Sequence, residues 1–88
     1  MKTKITYVNI GRNNFNGSEE FDCKTENLQD AVQSCETKAF NEVQKYLMSS
    51  IVGLSPNEEE YAEKNTYDVC VGDFGRVVGK VIIEVKKK

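Results

Sequence analysis

The run from Asn27 to Gly53 constrains the chain most, because it is the one long stretch with a helical period. Leu28, Ala31, Val32, Cys35, Ala39, Phe40, Val43, Tyr46, Leu47 and Ile51 recur at three- and four-residue steps, which places them on one face of an α-helix. Asp30, Gln33, Glu36, Lys38, Asn41, Glu42, Gln44 and Lys45 fall between them, on the wet face. Asn27 suits the N-cap, since its side-chain oxygen accepts from an unpaired backbone N–H, and Asp30 suits the positive end of the helix dipole. Gly53 is a stop signal, free to take the left-handed conformation that closes a helix. The spacing therefore predicts an amphipathic helix of about 25 residues, roughly 37 Å long at 1.5 Å per residue.

The flanks read as strands. Residues 2–10 are rich in β-branched and aromatic types, with Ile5 and Tyr7 on one face and Thr6, Val8 and Ile10 on the other. Gly11 to Ser18 is turn material with an Asn-Gly pair, and Glu19 to Lys24 is a short strand whose acids suit an edge. Beyond the long helix, Ser55, Pro56 and Glu58 form a capping box, with Glu58, Glu59 and Glu60 at the positive dipole end. A short second helix over residues 56–64 follows. Thr66 to Val71 and Arg76 to Val85 are β-branched arms of a hairpin tipped by Gly72-Asp73-Phe74-Gly75. Strict alternation puts Val77, Val81, Ile83 and Val85 on one face of the second arm and Val78 and Ile82 on the other. The lysines at 86–88 are expected to fray. The 88 residues suit a single domain. The expected fold class is α+β: an antiparallel β-sheet of three to four strands, order β-β-α-α-β-β, with one long helix packed on one face and a short second helix.

The absence of histidine limits the chemistry most. It removes the commonest general base, the usual nucleophile pairs and metal sites built on imidazole. Cys23, Cys35 and Cys70 are odd in number and widely spaced, which suggests neither a disulfide framework nor a zinc site and fits buried thiols in a reducing compartment. Val71 to Val77 spells fragments of two kinase signatures on a handful of residues, and Gly75 to Val81 is one residue short of a nucleotide-binding loop and lacks its hydroxyl. Neither spacing supports phosphate chemistry. No catalytic activity, cofactor or metal is expected. No apolar run is long enough to cross a bilayer and the N-terminus lacks a signal-peptide core, so no membrane partner and a cytoplasmic location are expected.

Charge is unevenly distributed. From Glu19 to Glu63 eleven acidic residues stand against three basic ones, net −8, while each flank is net +3. If the flanking strands share a sheet, Lys2, Lys4, Arg76 and Lys80 are expected on the sheet side, opposite acidic helices. The second sheet face, expected to carry Val8, Ile10, Val78 and Ile82, has the apolar character of a protein interface. The expected function is therefore a small non-enzymatic protein-binding domain, with Val8, Ile10, Phe74, Arg76, Val78, Lys80, Ile82, Glu58, Glu59 and Glu60 as contact residues, and with a homodimer through the second sheet face as one form of it. In general character such a chain is similar to the inhibitors that phages and mobile elements direct at host defence proteins, anti-CRISPR proteins among them. The alternative is a nucleic-acid-binding module using the basic sheet side and the Phe74 hairpin tip.

Overall fold

The helix is real and shorter than its periodicity implies. In the computed structural model, which describes residues 1–86, α1 runs Leu28–Val43 and tightens into a 3-10 turn at Gln44–Tyr46. The Asn27 side chain caps it, accepting from the Asp30 N–H at 3.2 Å. Sixteen α-helical residues span about 24 Å, which matches the strands beneath and removes the overhang a longer helix would have. Beyond Tyr46 the chain is not helical. Ser49 accepts from the Ile51 N–H and donates to the Ile51 carbonyl, at 3.2 and 3.1 Å, so a hydroxyl meets backbone groups that a helix would have paired. Residues 47–51 are irregular, and Val52 and Gly53 open a strand instead.

That strand changes the fold class. Strands β1 (Lys2–Ile10), β2 (Phe15–Asp22), β3 (Val52–Pro56), β4 (Lys64–Val71) and β5 (Arg76–Lys86) make one antiparallel sheet in the order β2-β1-β5-β4-β3. The expected three to four strands and two helices are thus corrected, among the described residues, to five strands and one helix. Residues expected to start a second helix serve a β turn-back. Pro56 ends edge strand β3 opposite Tyr67, where a missing N–H costs nothing. Glu58 then accepts from the Thr66 N–H at 2.8 Å, and the Asn57 N–H donates to the Thr66 carbonyl at 2.9 Å. The capping-box pattern is present in the sequence, but its carboxylate caps a strand.

The hairpin of β4 and β5 has the expected arms and tip. The turn joining β1 to β2 is shorter than expected: Gly11 and Asn14 take the positive φ angles, at 73° and 51°. Asn16, Gly17 and Ser18 consequently belong to β2. Lys86 is the last residue of β5; the fraying expected at 87 and 88 lies outside the described residues.

Two bulges decide which side chains reach the core. β1 advances three residues from Tyr7 to Ile10 while β2 advances two, and Asn9 sits in the bulge with φ 51°. β5 advances three residues from Val77 to Lys80 while β4 advances two, and Gly79 sits in that bulge with φ 150°. An extra residue reverses the alternation beyond it. Ile10 and Val78, expected on the second face, therefore turn to the helix side, where Ile10 is fully buried and Val78 packs against the core. Val77 moves the other way. The bulges interlock: a Cβ on Gly79 would lie 2.9 Å from the Asn9 carbonyl oxygen and 3.0 Å from the Ile10 Cα. Pairing resumes past them through the Gly11 N–H donating to the Val78 carbonyl at 2.9 Å.

The core lies between α1 and one sheet face. Ile5, Tyr7, Ile10, Tyr67, Val69, Val81, Ile83 and Val85 meet Ala31, Val32, Cys35, Ala39 and Val43. Small residues on the helix let it sit close above the larger sheet side chains. Two buried phenols reach out from under it. Tyr7 donates to Glu19 at 3.1 Å, and the Glu36 carboxylate lies near the Tyr67 phenol. Burial first, then the neighbouring carboxylate, pushes both phenols well above their ordinary pKa, and burial does the same to the Cys35 thiol. No helix among the described residues is long and apolar enough to cross a membrane.

Candidate interaction surface

The second sheet face is open and polar. The Asn57–Glu63 connection, which the second helix was to occupy, leans to the helix side, where the Tyr61 hydroxyl meets Gln33 and Glu36 at 3.4 Å each. Cross-strand register lays charges of opposite sign beside one another on the open face. Glu20, Lys4, Glu84 and Lys64 form one row across β2, β1, β5 and β4. Ser18, Thr6, Ile82 and Thr66 form the next, and Lys80 lies between Val8 and Asp68 in a third. Val8 and Ile82 are half-buried among these polar neighbours. With Ile10 in the core and Val78 packed against it, the continuous apolar set expected on this face is divided. Lys2, Lys4 and Lys80 do share the face, but carboxylates interrupt them, and Arg76 falls on the other side of the sheet opposite Val71.

The apolar surface is at one end of the strands. There the β1–β2 turn, the segment leaving the helix and the β4–β5 hairpin tip come together. Met48 and Phe74 are fully exposed, Ile51 and Val77 are 49% and 54% exposed, and Tyr46 is 38% exposed. Tyr46 is held by stacking on Phe15, with ring centroids 4.0 Å apart and planes 7° from parallel. Ile51 is tied to the hairpin by the Gly72 N–H, which donates to its carbonyl at 3.0 Å. Gly11 holds the third segment close: a Cβ there would collide with the Tyr46 carbonyl oxygen.

Two shallow grooves open beside these residues, of about 610 and 540 Å³. Arg12, Arg76 and Val78 are among the residues lining both; Lys45, Leu47 and Met48 contribute to the first, and Val8, Val77 and Lys80 to the second. Phe74, Arg76 and Lys80 are therefore brought to one end, with Val8 beside them. Glu58, Glu59 and Glu60 are not. They lie in the connection that opens β4, whose eight residues separate them from the hairpin tip by about 26 Å at 3.3 Å per residue. Met48, Ile51 and Arg12 carry no contact signal in the sequence: Met48 falls inside the helical run but off its apolar face, Ile51 fits the helix period, and Arg12 belongs to a plain turn. Arg12 beside a glycine-rich turn carried no signal of its own.

What the geometry defines is an α+β sheet domain with an exposed apolar end flanked by cations. No protein-family model, curated protein or solved structure matches the chain. Among the described residues no group of three or more Cys, Asp or Glu is placed to hold a metal ion.

Proposed function

We propose that this chain is a small protein-binding domain with no catalytic activity of its own, which presents its hairpin end to a partner protein. One observation carries the reading. Among the described residues, Tyr46, Met48, Ile51, Phe74 and Val77 are large apolar side chains left exposed at that end, and Tyr61 alone is exposed elsewhere. Burying a Phe or Met is worth roughly 1.5–3 kcal/mol each, so two of them in open water at adjoining loop tips are groups whose burial is deferred to a contact. Aromatic residues, Met and Arg are the types enriched in protein interfaces, and Arg12 and Arg76 flank the apolar set. Blocking a larger cytosolic protein, as small phage- and mobile-element inhibitors do, is the form of binding that a domain of this size with its contact surface at one end suits.

A photo-crosslinking amino acid placed at position 74, and in a parallel protein at position 66 on the open face, tests this in cells of the source organism. The expected outcome is a discrete protein adduct from position 74 and none from position 66. Equal labelling from both positions, or none from 74, would sink the reading. Nucleic acid is the second reading, favoured by Arg12, Arg76 and Lys80 lining one groove. It requires oligonucleotide affinity that falls steeply with salt and is lost on charge reversal at Arg76 and Lys80.

A further inference from the structure

Resting on the protein-binding reading, we infer that the two grooves at the hairpin end take an acidic segment of the partner, in which carboxylates flank an apolar side chain. The argument begins with charge. No carboxylate lines either groove; their walls are cationic, polar or apolar. A further groove, on the open sheet face, differs: Lys2, Lys4 and Lys86 line it together with Glu20, Asp22 and Glu84. The hairpin end thus differs in having no carboxylate in its groove walls.

The state of each cation then narrows the ligand. Lys45 is already paired with Glu42 at 3.1 Å. Lys80 sits opposite Asp68 in the strand register. Arg12 and Arg76 are exposed, and among the described residues neither guanidinium makes a hydrogen bond or an ion pair. Two uncommitted guanidiniums match two carboxylates, each of which can accept a bidentate pair. Leu47, Met48 and Val78 line the first groove with the two arginines, and Val77 lines the second with them.

A nucleic acid fits this less well. A phosphate backbone is followed by a line of cations, and beyond the two arginines the adjoining sheet face offers Asp68, Glu84 and Glu20. A short acidic segment needs only the two.

Panning a random peptide display library on the whole protein, with the Arg12→Gln/Arg76→Gln double variant as counter-selection, tests the inference. Enriched peptides are expected to carry at least two acidic residues around an aromatic or aliphatic one. Measured by anisotropy, the best of them should lose about tenfold in affinity on either single substitution and be unaffected by Lys4→Gln. Both arginine side chains are exposed, so the variants should melt with the wild-type protein. Neutral or basic peptides as winners, no discrimination by the double variant, or displacement of the peptide by a mixed-sequence oligonucleotide would overturn it. A protein adduct from position 74 combined with any of these results would leave the protein-binding reading standing and remove only the acidic partner.

Discussion

Gly79 shows how one residue sets the face of its neighbours. Its φ of 150° is hard for an L side chain, and the Asn9 carbonyl and Ile10 Cα leave no space for a Cβ. Gly79→Ala should therefore cost about 2–3 kcal/mol in urea unfolding. Gly72→Ala, with φ 79° but nothing within 4 Å, should cost nearer 1 kcal/mol; equal losses would show that the interlocked bulges contribute nothing. The buried phenols give a pH signature. Their folded pKa values are raised above the unfolded value of 10.0, so their contribution is complete below pH 10 and is lost as pH rises beyond it. Denaturant stability should fall on the alkaline side, and Tyr67→Phe should make that fall shallower. An identical alkaline slope in wild type and variant would exclude the phenol as its source.

At the scale of elements, the segment from 44 to 63 does work that its local signals assign elsewhere. Ile51 fits the helical period, but short apolar runs suit strands equally, and β4 had an edge for Val52–Pro56 to pair with. Glu58 fits a capping box, yet its carboxylate closes the turn back to Thr66. Glu58→Ala should then destabilise the protein by about 1 kcal/mol, the usual worth of such a bond, while helical circular dichroism per folded molecule stays unchanged. A selective loss of helical signal would contradict the strand assignment. Signals that agreed with their surroundings were legible: Asn27 caps α1, and the β-branched arms around Gly72 and Gly75 form the hairpin. The local conflicts sit where the long-range pairing with β4 prevailed.

For the molecule as a whole, the distribution of charge on the open face matters more than its total. Lys4 lies between Glu20 and Glu84, and opposite-charge neighbours contribute roughly 0.2–1 kcal/mol each. Lys4→Glu should lower stability by about 1 kcal/mol and do so less at high salt. Adding Glu84→Lys should restore part of the loss; a double variant no better than the single would show that the row is decorative. The same rows give this face the mixed-charge character of a solvated surface. Of the candidate contact residues, Phe74, Arg76 and Lys80 were legible from a glycine-tipped hairpin with cations on its arm. Met48, Ile51 and Arg12 were not, since they come from three segments distant in sequence.

Local chemistry was enough to specify a capped helix, two strong strands in a hairpin, an absence of histidine chemistry and a strongly uneven charge, because each follows from residue type and short-range spacing. The length of the helix, the fifth strand, the inward turn of Ile10 and Val78 and the gathering of Met48, Ile51, Phe74 and Arg12 at one end depend on pairings between distant strands. A bulge adds one residue and reverses every face beyond it, and whether one forms is settled by the strand lying alongside. Here that strand is a second bulged one, and their fit across a single glycine decides which side chains are core and which are surface.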